Sequence, residues 1–160
     1  KYEKGALATV VKRVVRLLSY RIESEHVVVT LHIAAGTPEI WMEINSIQQV
    51  FLNIMNNALD ALTESGEKEI HVEVEPKGEF VQLSVTDNGC GIAPESLERV
   101  FQPFFSTKPP RQAVGLGLTI SRNIIREHGG SITCESKLGE GTTFKVLLPI
   151  DGRGKETENE

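Results

Sequence analysis

The segment from about Asn45 to Leu62 constrains the fold more than any other part of the sequence. Its pattern predicts a helix, and on a helical wheel with roughly 100° per residue one side carries the apolar residues Ile47, Val50, Phe51, Ile54, Ala58 and Leu62. This arc is widened by Leu52, Met55 and Leu59, so that apolar residues cover more than half of the circumference. A helix that is apolar over so much of its surface must be well buried.

Strand patterns lie on both sides of this helix in the sequence. Before it, HVVVTLHIAA is rich in β-branched residues and predicts a strand. After it, EIHVEVEP and EFVQLSVTD alternate between apolar and polar residues and are separated by KG, which predicts an antiparallel hairpin. Two further strands are predicted around KLGEGT.

Two more long helices are predicted, one in ALATVVKRVVRLLSY and one in GLGLTISRNIIREHGG. The first places apolar residues at helical spacing, namely Leu7, Val10, Val11, Val14, Leu17 and Leu18. A short helix with Pro94 near its start and then a proline-containing loop, QPFFSTKPPRQAV, precede the second. The order α, β, α, β, β, loop, α, β, β predicts an α+β two-layer sandwich rather than a doubly wound parallel sheet.

The composition excludes several classes of function. The chain has 160 residues, enough for one domain, and its formal net charge of -5 provides no global basic field for nucleic acid or an anionic membrane. A polyanion must therefore be bound locally, by a cation or by backbone amides. The domain is predicted to cover residues 1–150, and the charged segment 151–160 is predicted to be a disordered tail.

Cysteine usage and hydropathy favour a cytoplasmic protein. Cys90 and Cys134 lie far apart, without metal-ligand spacing, and are predicted to be reduced thiols. No apolar run approaches the length of a membrane span, and KYEKGALATV lacks the apolar core of a signal peptide. The chain starts in helix-like sequence, which suggests a longer parent protein, and such a parent is free to be membrane-anchored.

Three asparagines in the central helix suggest a binding site, because asparagine is a poor helix former. On the wheel, Asn53 and Asn57 are one turn apart and border the apolar arc beside Val50, whereas Asn56 lies further round, near Gln49. Neutral amide oxygens suit a Mg²⁺ ion that shares its coordination with water and phosphates. For this pair taken alone, hydrogen bonding to a neighbouring loop is favoured over metal binding.

Three glycine-rich segments are ambiguous when each is taken alone. In DNGCGI, from Asp87 to Ile92, Gly89 and Gly91 allow a positive φ and the close approach of a ligand. Asp87 is placed to accept a hydrogen bond from an exocyclic amine and Ile92 to form an apolar wall, but D-N-G is also strong turn chemistry. GLGLTIS puts glycines at a helix N-terminus, which favours phosphate or a tight turn. GEGTTF fits a hairpin turn.

The remaining chemical residues carry little signal by themselves. Lys108, in the proline-containing loop, is placed either to pair with a phosphate or to be a solvated surface lysine. Strand positions are predicted for His26, His32 and His71, and a helix end for His128. None of the four histidines has the helical context with an adjacent acidic residue that marks a phosphoacceptor, so all four are predicted to be structural.

The ordered set of motifs is far more specific than any one of them. An Asn-containing helix, D-x-G-x-G, FQPFFSTK, GLGL and GEGTTF occur in this order over about residues 4–150. This set resembles the catalytic and ATP-binding domain of bacterial sensor histidine kinases, in the superfamily of gyrase, heat-shock chaperone, histidine kinase and mismatch-repair ATPases. The resemblance implies a Bergerat-type fold, with a mixed five-stranded sheet and three helices on one face, and it implies ATP and Mg²⁺ as cofactors.

The resemblance also implies roles by position. Asn57 matches the asparagine that coordinates Mg²⁺, and Asn53 matches its partner near the phosphates. Asp87 matches the carboxylate that reads the adenine amino group, in a pocket shaped by Gly89, Gly91 and Ile92. The other implied contacts are Phe104, Phe105 and Lys108 in the phenylalanine box, with the lysine near phosphate, Gly115, Leu116, Gly117 and Leu118 at the base of the ATP lid, and Thr142 and Thr143 near adenine.

The position of Asn53 discriminates between branches of this superfamily. In the ATP-hydrolysing branches it is a glutamate that activates water, and an amide cannot take that proton. The resemblance therefore implies a site that withholds hydrolysis and keeps the γ-phosphate for another acceptor. Catalysis would be mostly positioning and charge neutralisation, with Asn53 and Lys108 as the candidate catalytic residues.

The chain departs from the family pattern at several points. Ala113 replaces the first lid glycine, and Asp60 stands where many members have a lysine, so a phosphate contact at residue 60 is not expected. Arg111 is a candidate to compensate from the lid. LDAL and FQPFFSTK resemble the nitrogen-regulator type of sensor kinase. No dimerisation helix pair with an H-E-[LF]-R-like phosphoacceptor is present in the sequence.

The leading hypothesis is an ATP-binding catalytic domain of a two-component sensor histidine kinase. It would bind Mg-ATP and donate the γ-phosphate to a histidine on a dimerisation domain absent from this chain, with a response regulator as the later partner and no nucleic acid partner. The full-length protein is predicted to be a homodimer and this domain alone a monomer. The alternatives are a serine-kinase or regulatory ATP-binding switch of the same superfamily, and a scaffold that has lost nucleotide.

Overall fold

A mixed five-stranded sheet forms one layer of the molecule. The computed structural model describes residues 1–62, 66–103, 105 and 117–152. Within these residues the strands are β1 (Glu3–Gly5), β2 (Val28–Ile33), β3 (Ile40–Met42), β4 (Glu69–Lys77), β5 (Phe80–Asp87), β6 (Ser131–Lys137) and β7 (Gly141–Pro149). The large sheet has the order β2-β4-β5-β7-β6; β2 and β4 are parallel and the other neighbours are antiparallel.

Helices form the second layer. They are α1 (Leu7–Leu17), α2 (Ser19–Ser24), α3 (Ile44–Ala61), α4 (Pro94–Leu97) and α5 (Gly117–Glu127). The central helix, α3, contacts α1, α5, β5 and β7. All six residues of its predicted apolar arc are buried, whereas Leu52, predicted to widen the arc, is only partly buried. The α+β two-layer sandwich is thus confirmed.

Side-chain alternation separates the two faces of the sheet. In β4, Ile70, Val72 and Val74 are buried under the helices, whereas His71 and Glu73 are exposed on the opposite face. We call these the helix face and the open face. The predicted antiparallel β4–β5 hairpin is confirmed; Lys77 pairs with Phe80 across a turn that contains Gly78, whose φ is 63°.

The N-terminal region differs from the sequence prediction. The predicted first helix is divided at Leu18 into α1 and α2, and Leu17 is 61% exposed instead of packed in the core. The short strands β1 and β3, which were not predicted, pair antiparallel as a separate ribbon. Strands of three residues are too short for periodicity to detect, and this pairing joins segments distant in sequence.

The histidines and cysteines are mostly as predicted. His26 is not on a strand, because it adopts a φ of 57° in the turn after α2. His128 follows the end of α5 and is buried; its Nε2 accepts a hydrogen bond from the Glu43 N–H (3.1 Å), and its Nδ1 contacts the Ile124 carbonyl (2.8 Å), so its role is structural. Both cysteines are free thiols.

The domain was predicted to cover residues 1–150 and to be followed by a disordered tail. Gly152 is buried against Trp41. Residues 153–160 lie outside the described residues, so the disordered tail stays a prediction. In the described part of the chain, no helix combines the length and the apolar character needed to cross a bilayer.

Candidate functional site

Polar side chains form a row across three neighbouring strands at one end of the helix face of the sheet. Asp87 at the end of β5 pairs with Thr142 of β7, which pairs in turn with Ser136 of β6. The next row inward holds Val85 and Phe144, so the apolar core stops where the polar row begins. The Ser136 hydroxyl donates to the Gly141 carbonyl and shares a 2.8 Å hydrogen bond with the Thr142 hydroxyl. Ser136 was not among the predicted site residues.

Asp87 is a buried carboxyl group. It is 3% exposed, and Oδ1 accepts a hydrogen bond of 2.9 Å from the Gly89 N–H. Burial raises the pKa of Asp87 from 3.8 to about 6, although hydrogen bonds from the Gly89 and Thr142 amides act in the opposite direction. Such a group accepts hydrogen bonds as a carboxylate near neutral pH.

The raised pKa predicts how stability changes with pH. Between about pH 4 and 6, native Asp87 binds more protons than the same residue in the unfolded chain, so its contribution to stability is present below about pH 4 and is lost as pH rises through about 6. Urea unfolding of the wild type and Asp87→Asn at several pH values measures this contribution. The difference in unfolding free energy between the two proteins should change across that window, and a constant difference would contradict the assignment.

The loop after β5 is held close to two other backbones. A Cβ on Gly89 would lie 2.5 Å from the Ala61 carbonyl oxygen, and one on Gly91, whose φ is 73°, would overlap the Lys137 carbonyl. The Ile92 N–H donates to the Ser136 hydroxyl (2.7 Å). Glycine is therefore required at both positions, because protein backbone lies close by at the end of α3 and at the end of β6. Of the two, only Gly91 has the predicted positive φ.

The two threonines of GEGTTF point in opposite directions. Thr142 lies on the helix face with Asp87, whereas Thr143 lies on the open face, where its hydroxyl shares a 3.0 Å hydrogen bond with Thr86. The structure therefore groups the Thr142 side chain with the predicted adenine pocket and does not group that of Thr143. Alternation along a strand is a signal that separates the two.

Asn53 joins α3 to the start of α5. Its Nδ2 donates to the Gly117 carbonyl (3.1 Å) and to the Ser121 hydroxyl (3.2 Å), and its Oδ1 accepts from Gln49 Nε2 (2.9 Å). Its amide thus has protein partners at both ends. Ser121 and Gln49 were not among the predicted site residues.

The other two asparagines of α3 are not equivalent. Asn56 accepts a hydrogen bond of 3.2 Å from Nη1 of Arg21, a residue of α2. Asn57 is half-buried and lies one turn from Asn53 and one turn from Ala61. The predicted separation of Asn56 from Asn53 is confirmed by their different partners.

Asn53, Asn57 and Ala61 lie in a line along α3. This line runs from the start of α5 to the loop that follows β5. Asn53 contacts α5 at one end, and the Ala61 carbonyl accepts the Cys90 N–H (3.1 Å) at the other, beside the loop that follows Asp87. These positions span about 12 Å along the helix axis. Asn57 lies midway between them. An extended ligand on this line would meet a carboxyl group at one end and amides with a helix N-terminus at the other.

Part of the predicted lid falls outside the described residues, namely Phe104, Lys108, Arg111, Ala113, Gly115 and Leu116. Gly117 and Leu118 begin α5, and the Phe105 N–H donates to the Gln102 carbonyl (3.3 Å).

Phe101, the first residue of FQPFFSTK, was not predicted as a site residue. It meets Phe144 edge-on at 6.4 Å, and the Arg122 guanidinium lies 5.7 Å from the Phe101 ring centroid. The Thr119 hydroxyl donates to the Phe101 carbonyl (2.8 Å). These contacts hold Phe101 against the first turns of α5.

The sequence of this chain is similar to those of known kinases. The chain is 31% identical over 159 residues to sporulation kinase E of Bacillus subtilis, covering 99% of this chain and 21% of that protein. It is 34% identical over 152 residues to the sensor histidine kinase ZraS of Escherichia coli, covering 95% of this chain and 32% of that protein. The chain therefore spans about a fifth to a third of these relatives.

Solved structures agree with the fold. The catalytic domain of histidine kinase ThkA superposes with a TM-score of 0.86 at 26% identity, covering 96% of this chain and 99% of that one. ThkA in complex with the response regulator protein TrrA gives a TM-score of 0.80 at 27% identity, covering 95% of this chain and 42% of that one. Residues 42–152 match the family described as histidine kinase-, DNA gyrase B-, and HSP90-like ATPase. The chain belongs to this family, and its fold is that of a histidine kinase catalytic domain.

Proposed function

We propose that this chain binds Mg-ATP and supplies the γ-phosphate to a histidine on a domain outside the chain. The observation that carries the proposal is the line Asn53–Asn57–Ala61 on α3, which joins the buried Asp87 pocket to the N-terminus of α5. The adenine amino group would donate to the Asp87 carboxylate. The phosphates would lie toward Gly117, where the free amides of a helix N-terminus favour anions.

The residues present fit a magnesium ion held jointly with phosphates. Asn57 supplies a neutral amide oxygen, which is a hard ligand, from a half-buried position on the line. When bound, the ion would neutralise charge on the phosphates. Asn57 would orient it, and Asn53 would hold the first turn of α5 in place.

Transfer is supported over hydrolysis by the chemistry of Asn53. Its amide cannot accept a proton from water, and its Oδ1 already accepts from Gln49. The proposal therefore includes a separate acceptor and, later, a response regulator of the kind that ThkA binds in its complex with TrrA. Membership of the nitrogen-regulator subgroup stays a prediction.

A nucleotide titration tests the proposal directly. ATP with Mg²⁺ should raise the melting temperature of the chain in a saturable manner, ATP in EDTA should do so less, and GTP should do so weakly. The full-length parent should then transfer ³²P from ATP to an acid-labile phosphohistidine. Absence of saturable ATP binding would overturn the proposal, and an acid-stable phosphoserine product would favour the serine-kinase alternative.

A further inference from the structure

A guanidinium group from α2 reaches across to the asparagine-bearing turn of α3. Arg21 donates from Nη2 to Asp60 Oδ1 (2.6 Å) and from Nη1 to Asn56 Oδ1 (3.2 Å). Its Nε donates to Glu25 Oε2, at 2.6 Å, within the same region of the chain. The Arg21 and Asp60 side chains are only 32% and 29% exposed, so this ion pair is less screened than one on the open surface.

Asp60 lies on the same side of α3 as the proposed metal ligand. Residues three apart on a helix are neighbours, with Cβ atoms about 5–6 Å apart, and Asp60 is three residues after Asn57. A carboxylate at this position is therefore a close neighbour of Asn57, beside which the proposed function places the metal-bound phosphates. Two like charges at this range repel each other unless a cation intervenes.

We propose that Arg21 is a positioning residue for nucleotide binding, which acts by neutralising Asp60 so that the phosphates can approach Asn57. This inference rests on the proposed function. Asp60 stands where many members of the family have a lysine, and its carboxylate is paired with a guanidinium from α2. Glu25 also contacts this guanidinium, through its Nε.

Four proteins test this inference: the wild type, Arg21→Ala, Asp60→Asn and the double variant, each titrated with Mg-ATP by calorimetry. Arg21→Ala should weaken binding about three- to tenfold at low salt, and less at high salt, because the exposed Asp60 charge is screened there. Asp60→Asn should bind at least as tightly as the wild type. The double variant should recover wild-type affinity, since no charge is then left to neutralise.

Two matched variants distinguish an effect of the Arg21 charge from an effect of its structural contacts. Arg21→Lys keeps the charge and should bind like the wild type even if Arg21→Ala folds poorly. Glu25→Gln removes the other carboxylate and should also leave the affinity unchanged. Unchanged affinity in Arg21→Ala would overturn this inference but not the proposed function. So would a double variant that binds as weakly as Arg21→Ala. Weaker binding by Asp60→Asn would instead make Asp60 a ligand. Absence of ATP binding by the wild type would overturn the proposed function as well.

Discussion

Replacing Asn57 with alanine is expected to remove the Mg²⁺-dependent part of ATP affinity and to abolish phosphate transfer in the full-length parent. Asn57 is the half-buried amide midway along the α3 line, between the contact of Asn53 with α5 and the contact of Ala61 with the pocket loop. Losing a ligand of the ion should weaken binding at saturating Mg²⁺ by at least about tenfold, or roughly 1.4 kcal/mol. Calorimetric titration with ATP, in Mg²⁺ and in EDTA, measures this loss.

Asn56→Ala is the matched control for this experiment. Its side chain is directed toward Arg21 and shares that guanidinium with two carboxylates, so its loss should change affinity by less than about twofold, the range of ordinary surface substitutions. Equal losses in the two variants would show that the structural separation of the asparagines has no functional meaning. Thermal unfolding of both proteins in the absence of nucleotide checks that each is folded.

Asp87→Ala should produce the second large effect, a loss of both ATP affinity and base selectivity. The buried carboxylate is the group placed to accept a hydrogen bond from the adenine amine, and hydrogen bonds to charged groups contribute roughly 1.5–3 kcal/mol, or about 10- to 150-fold in affinity. The wild type should reject GTP, whose carbonyl oxygen would face the carboxylate. Asp87→Asn should narrow the difference between ATP and GTP, because an amide can donate as well as accept.

Thr86→Val controls for changes at the same end of β5. Thr86 precedes Asp87 but points to the open face, where it bonds to Thr143. Its ATP affinity and its discrimination against GTP should match the wild type. If Asp87→Ala retained wild-type affinity and selectivity, the pocket at the end of β5 would not be the base site.

The parts of the fold that depend on periodicity were predictable. Ile47, Phe51 and Ile54 repeat at helical spacing and are buried, because a helix this apolar has to pack on several neighbours at once. The β4–β5 hairpin followed from two alternating segments joined by a short turn. The β1–β3 ribbon and the division of the first helix at Leu18 did not, since both depend on contacts outside the local pattern.

The parts of the candidate site that depend on local periodicity were predictable, and those that depend on contacts between distant residues were not. The wheel separated Asn53 from Asn56, and the structure gives them different partners, α5 and Arg21. The pairing of Arg21 with Asp60 joins residues 39 positions apart, which no local pattern reveals. The resemblance grouped Thr142 with Thr143, although strand alternation sends their side chains to opposite faces.

The polar row at the end of the helix face has a consequence for how the protein can vary in length. Side chains alternate between the two faces along β5, so that Asp87 and the core residue Val85 lie on one face and Gln82 and Ser84 on the other. A one-residue insertion within β5 would exchange the two sets on one side of the insertion, exposing core residues or moving Asp87 to the open face. Odd insertions must therefore be absorbed by a bulge or a turn, and selection for a well-packed core also preserves the position of the pocket.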